Sequence, residues 1–170
     1  MITFYHGSYM EVRQPLAKAG RKNLDFGQGF YLTNIREQAE TWAAIIASRK
    51  GRNVIPVVSV FSFDEERARL DGIRYKIFPS YDLDWLNFVV DCRRGKDYSS
   101  EYDVIEGGVA NDNVIDTVED YEKGIITAEQ ALGQLQYKKV NHQLCILSQP
   151  VIDHYLQFIE SYSPKLEDEG

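Results

Sequence analysis

Cysteine is nearly absent, with two in 170 residues. Neither Cys92 nor Cys145 sits in a CxxC or Cys/His ligand spacing, so a zinc site and a disulfide framework both lack support, and no metal is expected. Each reads as a small buried apolar residue. Long apolar runs are missing too. No stretch approaches the roughly 20 residues that span a bilayer, and the opening Met1-Ile2-Thr3-Phe4-Tyr5-His6 lacks the basic-then-apolar order of a signal peptide. A soluble cytoplasmic protein with no membrane partner is the expectation, with delivery as an effector left open. Basic residues are outnumbered, 19 Lys and Arg against 26 Asp and Glu, for a formal net charge of −7. That balance repels a long phosphate backbone and disfavours nucleic acid as a partner. Without glycine-serine or proline-rich spacers, the chain reads as a single domain over residues 1–160, followed by an acidic tail over 161–170. A domain of that size buries a real core without staples.

What is present is a set of alternating and helical patterns. Ile2, Phe4 and His6 alternate with Thr3, Tyr5 and Gly7, the period of a strand, and put His6 on the face of Ile2 and Phe4. Pro15, Gly20, Gly27 and several charges make 12–28 a long loop before a strand at Gly29–Thr33. Asn34 followed by Glu37 looks like a capping box, and Ile35, Ala39, Trp42, Ala43 and Ile46 trace one stripe of a helix over 35–49. Val54–Phe63 reads as a buried strand starting or edged at Pro56, and Ala68–Tyr75 as a further strand. Asp82 or Asp84 caps a helix that runs to Arg94 and stops at Gly95. Tyr102–Glu106 is a strand, Asn111–Tyr121 and Thr127–Leu135 are helices, and Thr127 with Gln130 forms a capping box. His142–Ser148 closes as a strand and Pro150–Phe158 as a helix.

Three segments stand out beyond packing: Tyr5-His6-Gly7-Ser8, Gly27-Gln28-Gly29-Phe30-Tyr31-Leu32-Thr33 and His142-Gln143-Leu144-Cys145-Ile146-Leu147. Each alone suits an ordinary strand. Their order, His then Tyr then Gln on three strand-like stretches, is harder to obtain from packing. These residues resemble the ADP-ribosyltransferase superfamily, in its diphtheria-toxin and poly-ADP-ribose-polymerase-like branch, where a His-Gly strand, a Gly-x-Tyr strand and a late Glu or Gln strand define the NAD site. Asp25-Phe26-Gly27-Gln28-Gly29-Phe30-Tyr31-Leu32-Thr33 is similar to the Phe-Gly-Lys-Gly-Ile-Tyr-Phe run of the polymerases. Eleven positions after the tyrosine the family places a second aromatic, and Trp42 stands there. The middle of the chain, Trp85 to Phe88 and Tyr102 to Asp112, resembles an uncharacterised bacterial branch of the same superfamily.

The resemblance implies an α+β fold, an ADP-ribosyltransferase-like split β-sandwich of two small, mostly antiparallel sheets flanked by helices, with NAD between them as substrate. It implies that His6 bonds the adenosine ribose, that the Gly7 backbone binds the nicotinamide carboxamide, and that Tyr31 and Trp42 lie on or beside the ring. Ser8, Gly29 and Thr33 complete the NAD-binding set, with His6, Tyr31 and Gln143 as the catalytic one. Gln143 departs from the polymerase glutamate: an amide orients a ribose hydroxyl but carries no charge. Single-unit transfer follows rather than chain elongation, with NAD hydrolysis as a side reaction, and Glu106 and Asp112 are candidates for the missing carboxylate. The expected activity is mono-ADP-ribosyl transfer to a protein or other acceptor, toxin-like, with a cognate inhibitor protein left open. Two alternatives stand beside it, a catalytically silent NAD or ADP-ribose binding module and an interaction protein on the same scaffold. Residue by residue, simpler readings also hold: His6 as a hydrogen-bonded core residue, Trp42 as core packing, Gln143 as a satisfied buried amide.

Overall fold

Alternation in the first residues builds β1 (Ile2–Ser8), which pairs antiparallel with β3 (Val57–Phe63). β3 takes β7 (Leu156–Tyr162) on its other side, giving a three-stranded sheet in the order β1-β3-β7. A second sheet runs β2 (Phe30–Leu32), β6 (Gln143–Ile146), β5 (Val104–Gly107), β4 (Tyr75–Ile77); only its β4–β5 pair is parallel. The computed structural model describes residues 1–111 and 114–165. Among the described residues six helices flank the sheets: α1 (Arg36–Lys50), α2 (Glu65–Leu70), α3 (Leu83–Arg93), α4 (Ile115–Glu122), α5 (Ala128–Leu135) and α6 (Gln149–Tyr155). This is the expected α+β architecture of two small sheets flanked by helices. No helix among the described residues is long and apolar enough to cross a membrane.

Strand alternation divides the interior in two. Phe4, Phe30, Phe61, Phe63, Leu144 and Ile146 fill one cluster, where residues of both sheets meet. On the other face of the second sheet, Phe26, Trp85, Leu86, Val89, Cys145 and Leu135 pack under α3 to α5. Neighbouring residues of β2 therefore go opposite ways: Phe30 and Leu32 to the first cluster, Tyr31 against the second. A small-residue seam sets α1 on β1. Ala39, Ala43 and Ala47 are buried, and a Cβ on Gly7 would collide with the Ala39 carbonyl oxygen and the Ala43 nitrogen.

Several boundaries differ from the sequence expectation. Asn34 does not cap α1; Ile35 holds that position without a side-chain bond, and the Thr33 hydroxyl instead accepts from the Ile35 N–H at 3.1 Å. Within α1 the buried stripe is alanine alone, and Trp42 is 47% exposed. Pro56 lies just before β3, which is the central strand of its sheet rather than an edge. The segment expected as one strand over 68–75 is the end of α2, capped by Asp64, then a turn and the first residue of β4. The closing helix lasts only to Tyr155, where the chain becomes β7; Ser161 and Tyr162, read as the start of the tail, are its last two residues. Residues 166–170, the acidic end of that tail, lie outside the described residues, as does Asp112.

The caps of α3 and α5 match their sequence signals. Asp82 accepts from the Trp85 N–H at 2.8 Å, and Thr127 and Gln130 form the reciprocal capping box. Thr127→Ala removes one acceptor for an otherwise unpaired helix N–H, so urea unfolding should show a loss of about 1 kcal/mol.

Candidate functional site

Among the described residues one isolated backbone bridge joins the edges of the two sheets. Tyr5 N–H donates to the Thr33 carbonyl at 2.8 Å and Thr33 N–H to the Tyr5 carbonyl at 2.9 Å. In an antiparallel strand successive residues bond to opposite edges, so Gly7, two beyond Tyr5, turns its N–H and C=O to that same edge. The residue that would answer it is Tyr31, two before Thr33. No backbone pair forms there among the described residues. Instead His6 fills the opening: its Nδ1 lies 2.7 Å from the Tyr31 carbonyl oxygen. A fork results, closed at Tyr5–Thr33, propped by an imidazole and open at the Gly7 edge.

Because a carbonyl only accepts, His6 Nδ1 carries the proton, and among the described residues Nε2 has no hydrogen-bond partner. Burial lowers the His6 pKa below its ordinary 6.5, against the opposing pull of the Tyr31 carbonyl. Neutral imidazole is thus the resting form, with one donor spent on the strand and one acceptor to offer. Phe30 packs against the ring at 4.4 Å between centroids and fixes its plane.

Residues facing each other across antiparallel strands point to the same side. Through Tyr5↔Thr33 and Tyr31↔Cys145, one surface carries Gly7, Thr33, Tyr31, Cys145 and Gln143. His6 lies on the opposite surface with Phe4 and reaches the fork through its ring. The structure therefore brings Tyr31 and Gln143 together on one face, and brings His6 to the backbone, not the side chain, of Tyr31. The Tyr31 hydroxyl is tied down twice, donating to the Gly27 carbonyl at 2.6 Å and accepting from the Phe26 N–H at 3.0 Å. Burial holds its pKa well above the ordinary 10, so it is a fixed phenol rather than a base. Gly29 is required by close approach, since a Cβ there would lie 2.8 Å from the Ile146 carbonyl oxygen.

Trp42 shares a helix face with Gln38, four residues earlier. Gln38 is bound to the backbone of His142, donating to its carbonyl at 2.6 Å and accepting from its N–H at 3.2 Å. That face looks toward the second sheet, and Trp42 stands one turn further on, level with the Ala39–Ala43 seam that receives Gly7. Ser8 and Thr33 are both buried; Ser8 is the last residue of β1, just past the Gly7 edge. Surface cavities beside α3 and α4 and at the C-terminal end of α1 lie outside this group.

Gln143 is 7% exposed and donates from Nε2 to the Gly108 carbonyl at 3.1 Å. Glu106, expected near it, is on the other face of β5, 2.7 Å from His142 Nε2. His142 Nδ1 accepts from the Asn34 N–H at 3.1 Å, so the proton is on Nε2 and the pair is a latch across the sheet junction. The carboxylate on the Gln143 side is Asp25, which sequence reasoning passed over although it begins the Gly-rich segment. Its oxygens accept from Arg93 Nη1 at 3.1 Å and from the Ala110 N–H at 3.0 Å. Burial raises its pKa, opposed by these donors and by the Gln143 amide. The signal was available only as charge: Asp25 is the one acid between Glu11 and Glu37, directly before Phe26 and the Gly27-Gln28-Gly29 segment.

Among the described residues no group of three or more His, Cys, Asp or Glu is placed to hold a metal ion. Residues 2–158 match the family described as "Protein of unknown function (DUF3990)". No curated protein matches the chain. Since the match covers most of the sequence, the chain belongs to that DUF3990 family.

Proposed function

We propose that this protein is an NAD-dependent mono-ADP-ribosyltransferase that moves ADP-ribose to a protein or other acceptor and releases nicotinamide. The fork carries the reading. A strand edge at Gly7 turns one N–H and one C=O to the same side, the complement of a primary carboxamide, while the place of its missing side chain is taken by α1. By the resemblance, Trp42 and Tyr31 would supply flat surface for an aromatic ring. His6 Nε2 accepts from a ribose hydroxyl, and Gln143 offers a second hydroxyl its carbonyl oxygen. The resemblance of the His6-Gly7, Gly29-Phe30-Tyr31 and Gln143 segments to ADP-ribosyltransferases supports the same assignment.

Nicotinamide leaves with the electron pair of its bond to the ribose, so positive charge builds on the sugar as in glycoside cleavage. Held donors and acceptors that need no reorganisation stabilise such a state. With an amide at Gln143 rather than a carboxylate, help in deprotonating an acceptor is weak, which favours single-unit transfer and slow hydrolysis. Purified protein with NAD and a bacterial lysate should release nicotinamide, measured by chromatography. Tyr31→Ala should lower the rate about 100-fold, the scale of losing substrate alignment, while remaining folded. Absence of nicotinamide release and of any NAD-induced rise in Tm would overturn the reading. A rise in Tm with NAD left intact would favour the binding module, the alternative that Gln143 motivates.

A further inference from the structure

We propose that His142 is a positioning residue whose neutral ring, giving a hydrogen bond on one side and receiving one on the other, clasps the strand of Gln143 to the entrance of α1. Its place in the reaction rests on the transferase reading, though its geometry does not. His142 directly precedes Gln143, and β1, β5, α1 and the turn before α1 all converge on it. Nε2 donates to Glu106 Oε1 of β5 at 2.7 Å, and Nδ1 accepts from the Asn34 N–H, between β2 and α1, at 3.1 Å. The backbone N–H and carbonyl are both taken by the Gln38 amide of α1, at 3.2 and 2.6 Å. The ring stacks on Phe4 of β1, with 6.0 Å between centroids.

A carboxylate can only accept and a backbone N–H can only donate, so the two ring contacts admit one form, the Nε2–H tautomer. A second proton would go to Nδ1 and set two donors against each other, Nδ1–H and the Asn34 N–H, while the Glu106 contact would gain opposite charge. The clasp therefore parts on its α1 side and holds on its sheet side. The Thr33 hydroxyl, 3.5 Å from Nδ1, is an alternative acceptor for the charged ring. The helix works in the same direction, because the ring sits at the N-terminal end of α1, where the aligned peptide dipoles disfavour a cation. Glu106 is the charged group in contact with the ring, and Glu37 stands in the first turn of α1. The Tyr75 phenol shares the face of Glu106 across the β4–β5 pair, and Arg69 of α2, bound to Glu65, lies over its ring at 4.4 Å. For the site the consequence is spacing. Gly7 packs into the Ala39–Ala43 seam of α1 and Gln143 follows His142, so the clasp joins the helix that seats the fork to the strand that carries the carboxamide.

Two variants separate the clasp from simple packing. His142→Asn puts an amide oxygen where Nδ1 accepts, keeping the bond to Asn34 without a titrating group, and at neutral pH should release nicotinamide within about threefold of the wild-type rate. His142→Ala, which leaves the Asn34 N–H unanswered, should lower kcat roughly tenfold with KM held within about twofold. Equal rates in the two variants would overturn the role. A second measurement needs neither turnover nor a variant that folds. In 15N-labelled wild-type protein the His142 ring, recognised by its contact with Phe4, should show Nε2 protonated and Nδ1 bare at neutral pH, with a coupling to the Asn34 nitrogen across the hydrogen bond. On acidification that coupling should vanish as Nδ1 takes its proton. A protonated Nδ1 at neutral pH, or an Asn34 amide signal indifferent to the titration of the ring, would overturn the proposal. If the wild-type protein releases no nicotinamide, the transferase reading fails, and the ring titration still decides whether His142 is the clasp.

Discussion

Gly7→Ala is expected to lose about 3 kcal/mol of stability, the upper end of what one methyl forced into a packed interior costs. The added carbon would point at backbone, the Ala39 oxygen and the Ala43 nitrogen, and backbone has no rotamer with which to yield. Nor can α1 lift away easily. It is tied at one side by Gln38 to His142 and at the other by Glu40, whose Oε1 accepts from the Tyr162 hydroxyl at 2.7 Å. A loss of that size is a large part of the 5–15 kcal/mol typical of a domain, roughly speaking. Gly133→Ala provides the contrast. Gly133 lies in α5 with nothing near the position of its Cβ, so alanine should stabilise by about 1 kcal/mol through helix propensity. Urea unfolding of the two variants side by side reads the difference. A Gly7→Ala chain within about 0.5 kcal/mol of wild type would mean that α1 is not seated as described.

Local signals carried much of the fold into view, and they fail where a neighbour overrides them. Thr127 with Gln130, and Asp82 before α3, are caps formed within four residues, and both stand as the sequence implies. Asn34 with Glu37 has the same spelling and does not form, because the Asn34 N–H is spent on His142, 108 residues away, and the Thr33 hydroxyl serves Ile35. The apolar run from Pro150 to Phe158 reads as one helix. Its first half is a helix that buries Val151 and Ile152, whereas from Leu156 onward β3 offers an edge to pair with.

The candidate site divides the same way. His6, Gly7, Tyr31 and Gln143 could be picked out from motif and order, but two facts that give them meaning are properties of pairing. One is that Tyr5 meets Thr33 while Gly7 and Tyr31 do not meet. The other is which side of the second sheet each residue faces. Glu106 and Gln143 lie close along neighbouring strands, yet Glu106 shares its face with Val104 and Gln143 shares its own with Cys145, so the nearer acid in sequence is the wrong one in space. Asp25 reaches Arg93 and the Ala110 N–H through a loop whose path no periodicity records.

His6→Asn separates what the imidazole does for the fold from what it offers a ligand. An asparagine side-chain nitrogen can donate to the Tyr31 carbonyl as Nδ1 does, so the prop between the strands is retained, but nothing replaces Nε2 as acceptor. Nicotinamide release should fall about 100-fold, or nearly 3 kcal/mol of transition-state stabilisation, with stability changed by about 1 kcal/mol or less. His6→Ala, which leaves the Tyr31 carbonyl without its donor as well, should lose both rate and stability. The pH dependence is a further signature. Folding lowers the His6 pKa from 6.5 because the buried ring resists charge, whereas the unfolded chain takes up its proton near that ordinary value. Between the two values the unfolded state binds more protons, so stability attached to His6 is complete above pH 6.5 and is lost as pH falls toward the folded pKa. Unfolding free energies of wild type minus His6→Asn, measured by urea at successive pH, should therefore be flat above that point and decline below it. The wild-type rate should likewise hold steady down through 6.5 and drop only when the folded ring charges and Nε2 ceases to accept. A rate that instead rises on acidification through this range would show the imidazolium to be the working form, and His6 would then be a donor to the ligand rather than the acceptor the fork makes it.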